Sequence, residues 1–326
     1  MPPLRIIFMG TAELATNSLT ALAHAPEIKV LAVVTQPDRP KGRDLKLQPS
    51  KVKEVALREN LPVLQPERAR HESFIAALAN LAPELIVVAA YGQILPQSIL
   101  DLPRHGCLNV HTSLLPKYRG AAPIQWAILN DEPETGVTIM KMDAGLDTGD
   151  ILTQASTPIA PEDDSQTLHD RLAQIGARLL LETIPEYVEG KILPRSQANE
   201  FATHARKITK EDGQLDWTQP ARALWNRVRA FTPWPGAYTW HTPALPKPIM
   251  LKIWKAEPRD DNSPTPGQIL RADKSGILVA CRSGSLLITE LQREGGRRLP
   301  VQTFLTGNPI KPGEIFISPA TKGSGN

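Results

Sequence analysis

The sequence is poor in cysteine. Only Cys107 and Cys281 occur among 326 residues, and they stand far apart. Such a pair forms neither a disulfide framework nor a zinc-ligand spacing, which excludes a disulfide-held secreted domain and points to a reducing, cytoplasmic compartment. Long apolar runs are missing too, and none approaches the roughly 18–20 residues that a membrane helix needs. The N-terminal run Ile6-Ile7-Phe8-Met9 is short and ends in Gly10-Thr11 rather than at a small-residue cleavage site. It reads as a first strand, not as a signal peptide. No G-x-G-x-x-G follows that strand, and no P-loop, His-Glu-x-x-His or Gly-x-Ser-x-Gly is present. Nicotinamide oxidoreduction, phosphoryl transfer, and zinc or serine hydrolysis lose their usual signatures accordingly.

What the chain has is an uneven charge. The formal net charge of +3 hides two opposite halves: residues 1–194 hold 18 Lys+Arg against 23 Asp+Glu, and residues 195–326 hold 19 against 11. The C-terminal part, at +8, is built to meet a polyanion, with a basic surface kept for solubility as the plainer alternative.

The pattern changes at about the same place. Ile6–Met9, Val30–Thr35 and Leu85–Ala90 are apolar runs suited to strands covered on both faces. Between them Thr16–His24, Ser50–Asn60 and His71–Leu81 have helical spacing, with Ser50 placed as an N-cap. This alternation predicts a parallel, doubly wound α/β sheet. Further strands are expected at Gly106–His111 and Gly136–Met142, and a long amphipathic helix at about Ser165–Val188. After Gly190 comes a polar connecting stretch, then short alternating segments at Ile249–Ala256, Gly267–Leu270, Ile277–Cys281 and Ser285–Gln292. They suggest a small β-barrel or sandwich. The expected organisation is a first domain over 1–190, a linker over 191–205 and a second domain over 206–326.

Asn109 and His111 lie two apart in a strand-like run, so their side chains share one face of a sheet. An amide donor beside an imidazole suits a developing oxyanion and a proton transfer. On spacing alone the pair is more readily a strand-end Asn and His satisfied by nearby backbone. The run that follows, Thr112 to Pro123, is so rich in Pro, Gly and small residues that it must be a shaped loop. Loops at the C-terminal edge of such a sheet carry ligand contacts. The stretch Lys141–Asp150 packs Asp143, Asp147 and Asp150 with two glycines into ten residues. Its spacing is not that of a calcium loop. One of its acids could instead orient His111 and favour its charged form, and the residues leave open which one. Gln36–Lys46 reads as a loop, and over Asp38–Lys53 there are six basic and two acidic side chains, a candidate reader of a phosphate backbone or a merely solvated loop.

Together these residues resemble the 10-formyltetrahydrofolate-dependent formyltransferases, and within them the tRNA-directed branch. The resemblance rests on Asn109-x-His111, Ser113-Leu114-Leu115-Pro116 with Tyr118–Ile124, and Met142-Asp143-x-Gly145-Leu146-Asp147-Thr148-Gly149-Asp150. Thr35–Arg43 and Arg229–Ala237 add to it, so that it spans residue 5 to about residue 315. It implies a Rossmann-like, mostly parallel sheet domain joined to a smaller OB-like barrel that binds tRNA. It also implies a catalytic trio of Asn109, His111 and Asp147, and folate contacts at Ser113, Leu114, Leu115, Pro116, Ile94, Leu95 and Asp143. Arg39, Lys41 and Arg43 would reach the acceptor end of the tRNA. The implied reaction carries the formyl group of 10-formyltetrahydrofolate to the free α-amino group of methionyl-initiator tRNA, with no metal and the enzyme a monomer. Formylation of a small amine such as an amino-sugar nucleotide is the alternative. One departure is visible: the family turn Gly-Thr-Pro-x-Phe-Ala is here Gly10-Thr11-Ala12-Glu13-Leu14-Ala15, without its proline and phenylalanine. That turn bears on the methionine-side pocket.

Overall fold

The computed structural model describes residues 2–41, 46–242, 248–261 and 263–317. The chain divides into two compact units. One comprises Met1–Pro123, Glu134–Pro158 and Leu168–Ala205, the other Ile124–Pro133, Ile159–Thr167 and Arg206–Asn326.

Along the chain to residue 205 the elements are β1 (Leu4–Gly10), α1 (Ala15–His24), β2 (Ile28–Val34), β3 (Arg39–Lys41), β4 (Lys46–Gln48), α2 (Lys51–Arg58) and β5 (Val63–Leu64). Then come α3 (Glu72–Asn80), β6 (Leu85–Ala89), α4 (Gln97–Leu100), β7 (Cys107–His111), β8 (Arg119–Gly120) and α5 (Pro123–Leu129). They are followed by β9 (Glu134–Lys141), β10 (Ile151–Pro158), α6 (Ser165–Val188) and β11 (His204–Ala205). The apolar β-branched runs form the strands, and Ser50 caps α2 by accepting the Lys53 backbone N–H at 3.0 Å.

Seven strands make one sheet in the order β10-β9-β7-β6-β1-β2-β5. β5, β2, β1, β6 and β7 are parallel, whereas β9 is antiparallel to both β7 and β10. The sheet is therefore mostly parallel, with one reversed strand. The chain re-enters the sheet at the end where β7 left it, so His111 pairs with Thr138 and Leu108 with Lys141. Alternation of strand and helix in a sequence says nothing about which end the chain returns to, and the reversal was not expected. Its consequence is local: the acidic loop after β9 starts beside Cys107, whose carbonyl accepts the Met142 N–H at 2.8 Å.

The basic stretch differs from expectation as well. Instead of a plain loop it has a short hairpin base, β3 pairing antiparallel with β4. Arg43 lies outside the described residues, and so does the side chain of Lys41.

The second unit contains α7 (Ala221–Ala230), β12 (Ala237–His241), β13 (Ile249–Arg259), β14 (Ile269–Asp273), β15 (Gly276–Ala280), β16 (Ser285–Arg293), β17 (Arg298–Pro300), α8 (Val301–Gly307) and β18 (Phe316–Ile317). Its antiparallel sheet runs β14-β15-β16-β13-β12-β18 with β17 on β16. Register shifts in β13 near Lys255 curl it into a half-barrel. Leu224, Val228, Ile253, Ile277, Ile288 and Phe316 are among its core side chains. The two short segments that join this unit from earlier in the chain are tied by arginines. Arg222 makes a two-pronged pair with Asp131. Arg229, over the Trp225 ring at 3.8 Å, donates to the carbonyls of Ala160 and Asp163 at 3.0 Å each.

Candidate active site

The site is built on the alternation of β7. Val110 is buried and faces α6, where Gly176 lets the helix approach: a Cβ there would stand 2.9 Å from Val110 Cγ1. Asn109 and His111 point to the opposite face. His111 is 5% exposed.

Both meet Asp147. Asn109 Nδ2 donates to Asp147 Oδ1 at 3.3 Å, and His111 Nδ1 lies 3.7 Å from Asp147 Oδ2. Because β9 is reversed, the loop that carries this acid sets out near Cys107 and has to reach back along β7. It arrives in a left-handed backbone conformation at Asp147, φ 54°, which Asp and Asn tolerate better than other side chains. The backbone N–H of Gly120 donates to Asp147 Oδ2 at 2.8 Å. The other acids go elsewhere. Asp143 accepts from Thr148 Oγ1 at 2.7 Å and from the Gly145 N–H, closing its own loop, and Asp150 accepts from Ser196 Oγ at 3.1 Å.

The other nitrogen of His111 is held too. Nε2 donates to the Tyr118 carbonyl at 2.9 Å. Tyr118 is itself left-handed, φ 63°, and its N–H donates to Thr203 Oγ1 at 2.9 Å. Upstream, the Ser113–Pro116 segment is fixed on β9 and β10. Thr138 Oγ1 donates to the Ser113 carbonyl at 2.7 Å and accepts the Leu115 N–H, while Gln154 Nε2 donates to the Leu115 carbonyl at 2.9 Å. The Leu115–Pro116 peptide is cis. Thr138 and Gln154 escaped sequence reasoning, since a polar residue in a strand carries no motif. The pairing of Thr138 with His111 is the signal that would have found it.

The remaining candidates are spread out. Ile94 is 83% exposed while Leu95 is 4% exposed and part of the core under β1 and β6, so Leu95 can offer a ligand only its backbone. Their loop follows β6, whose Val88 pairs with Asn109. Arg39 is exposed on β3, away from the trio's hydrogen bonds. One strand over, at the ends of β1, β2 and β6, lies a pocket of about 480 Å³ lined by Thr11, Glu13, Gln36, Lys51, Tyr91 and Gly92, among others. The altered turn sits here. It is held without its proline, because the N–H groups of Thr11 and Ala12 donate to the Ala90 carbonyl at 3.2 and 3.3 Å. Leu14 is buried in place of the phenylalanine.

Chemically the cluster offers an amide donor, an imidazole nitrogen turned to a carboxylate, and no activated nucleophile. Ser113 Oγ donates to the Lys117 carbonyl, and Cys107 is buried, its thiol pushed up to about 12 by desolvation. Among the described residues no group of three or more His, Cys, Asp or Glu could hold a metal ion.

The comparisons with known proteins agree on the class. Residues 4–184 match the formyl transferase family model and residues 207–309 that of the formyl transferase C-terminal domain. The chain belongs to the formyl transferase family. Within it, the chain is 50% identical over 313 residues to a methionyl-tRNA formyltransferase of Geobacter sulfurreducens, covering 96% of each chain. It is also 50% identical to one of Caldanaerobacter subterraneus subsp. tengcongensis, covering 96% of this chain and 100% of the relative. Among solved structures, HypX from Aquifex aeolicus in complex with tetrahydrofolic acid matches with a TM-score of 0.59 at 18% identity, over 96% of this chain and 50% of that one. An N-formyltransferase from Helicobacter canadensis in complex with folinic acid and dTDP-3-aminofucose matches with 0.60 at 20% identity, over 88% and 99%. These two likenesses concern the fold.

Proposed function

We propose that this chain transfers the formyl group of 10-formyltetrahydrofolate to the free α-amino group of methionyl-initiator tRNA. The observation that carries the reading is identity of 50% along 96% of the chain, both domains included, to relatives named methionyl-tRNA formyltransferase. Small-amine formylation finds support only in neighbours at about 20% identity.

The amine attacks the formyl carbon directly, giving a tetrahedral intermediate that collapses by breaking the bond between the formyl carbon and the folate nitrogen. That nitrogen takes up a proton and leaves as tetrahydrofolate. The folate supplies the formyl group, and the protein's residues do the rest. Asn109 keeps one amide hydrogen on Asp147 and has a second to give to the formyl oxygen as it gains charge. His111 Nδ1 is the nitrogen free to exchange a proton with what binds beside Asp147, since Nε2 is committed to Tyr118. Asp147 offsets positive charge at that ring and accepts the proton lost by the amine. Ser113, Leu114, Leu115, Pro116, Ile94, Asp143 and the backbone of Leu95 line the folate side. The basic residues Arg39, Lys41 and Arg43 are assigned by sequence to the tRNA phosphates, with the +8 C-terminal half adding sequence-independent attraction. We take the protein to act as a monomer, and in a reducing cytoplasm, which its two free cysteines suit. Among the described residues no helix is long and apolar enough to cross a membrane.

The test is labelled 10-formyltetrahydrofolate offered with methionyl-initiator tRNA, and separately with free methionine and amino-sugar nucleotides. Label on the aminoacyl-tRNA alone is the expected result. Label only on a small amine overturns it.

A further inference from the structure

The acidic loop poses a mechanical problem. It leaves β9 beside Cys107, yet it must present Asp147 to Asn109 and His111, in a left-handed conformation. Something has to hold it there. The side chain that does so lies fifty residues further on, in the stretch after α6 that reads as a polar connection.

Gln197 is 8% exposed. Its amide nitrogen donates to the Asp147 carbonyl at 2.9 Å and to the Gly149 carbonyl at 2.7 Å. Its Oε1 accepts from Arg119 Nε at 3.0 Å and Nη2 at 2.8 Å. Arg119 is 5% exposed, and Nη2 also donates to Asn199 Oδ1 at 2.8 Å. Both N–H groups and both lone pairs of the glutamine amide are used. The orientation is unambiguous, because carbonyls only accept and a guanidinium only donates. The residue next to Arg119 completes the arrangement: the Gly120 N–H holds the Asp147 carboxylate while Arg119, through Gln197, holds the Asp147 backbone. The two residues of β8 thus grip Asp147 at both ends, and β8 pairs in turn with β11.

We propose that Gln197 is a positioning residue for the formyl transfer, setting the distance of Asp147 from His111 through the backbone of the acidic loop, with Arg119 as its anchor. The proposal rests on the reading of Asn109, His111 and Asp147 as the catalytic trio. A catalytic group displaced by about 1 Å costs about a hundredfold in rate without touching the substrates. That is the signature looked for.

Gln197→Glu separates the two sides of the amide. A carboxylate still accepts from Arg119, now as an ion pair, but cannot donate to Asp147 and Gly149. In the full-length enzyme, kcat is expected to fall about 10- to 100-fold, with KM for both substrates changed less than about threefold. The protein is still folded at the assay temperature, although the unsatisfied carbonyls lower its thermal midpoint. Gln197→Ala loses the same activity and also lowers the midpoint. Added to Asp147→Ala, measured on its residual turnover, Gln197→Glu should cost less than about threefold more, because the group it positions is gone. Wild-type kcat in Gln197→Glu, or a full multiplicative loss on the Asp147→Ala background, overturns the proposal. Near-normal turnover in both His111→Ala and Asp147→Ala is a separate result that sinks the trio itself, and the proposal with it.

Discussion

His111 is oriented by Tyr118: its Nε2 lies 2.9 Å from the Tyr118 carbonyl, and because a carbonyl only accepts, that nitrogen carries a hydrogen. The nitrogen turned to Asp147 is therefore Nδ1, at 3.7 Å from Oδ2. That distance is longer than a hydrogen bond, so the ring and the acid face each other as a charge pair rather than as a bonded one.

Asp147→Asn tests the acid's charge apart from its shape. Asparagine tolerates the left-handed backbone, φ 54°, and its oxygen still accepts the Gly120 N–H. We expect kcat to drop about 10²–10³-fold, the range seen when a single electrostatic contact to a transition state is lost. The thermal midpoint should hardly move. Steady-state kinetics with thermal unfolding decide it, and a kcat near wild type removes the acid from the chemistry.

On the proposed mechanism Asn109→Ala takes away the donor to the developing oxyanion and His111→Ala the group that exchanges a proton beside Asp147. Each should lose about 10²–10³ in kcat. Single-turnover formyl transfer measures this step without interference from product release.

Gly120→Ala probes the grip on the acid. Gly120 has φ 117° and a Cβ there would lie 2.8 Å from the Ala205 carbonyl oxygen. The strained backbone alone costs about 1–3 kcal/mol, and relief of the clash pulls the Gly120 N–H away from Asp147. Both the unfolding midpoint and kcat should fall. A variant with normal stability and turnover shows that β8 and β11 can part without effect.

The second unit offers a pH test. Asp212 is pulled from its usual 3.8 to about 2, chiefly by its hydrogen bonds from Arg206. A carboxyl whose pKa is lower in the folded state contributes stability that is present above its unfolded value and lost as pH falls through the folded one. Asp212→Asn should therefore destabilise the protein above pH about 4, with the gap to wild type closing between about 4 and 2. Denaturant unfolding across that window checks the sign; a gap that widens in acid refutes it.

Much of this was legible in the sequence because it rests on short-range pattern. The runs Ile6–Met9, Leu85–Ala90 and Ser165–Val188 carry their periodicity on their face, and Ser50 announces the start of its helix. Asn109-x-His111 likewise needs only the period of a strand to share a face. The reversal of β9, the edge strand β10 with its Gln154, and the hairpin at Arg39 depend on long-range pairing, which local composition does not encode. Gln197 was the least legible. It sits in an irregular segment, and its importance lies in which carbonyls it reaches rather than in any spacing.

Thr203, His204 and Ala205 hold Tyr118 and β8 by a handful of bonds in a two-stranded patch, outside the seven-stranded sheet. Regions with few such bonds open at a lower free energy than the core they lie on. The order of the site is accordingly governed by the opening of this patch rather than by melting of the sheet. On gentle heating, activity is expected to fade while the strands persist, with hydrogen exchange at the Gly120 amide reporting the loss first.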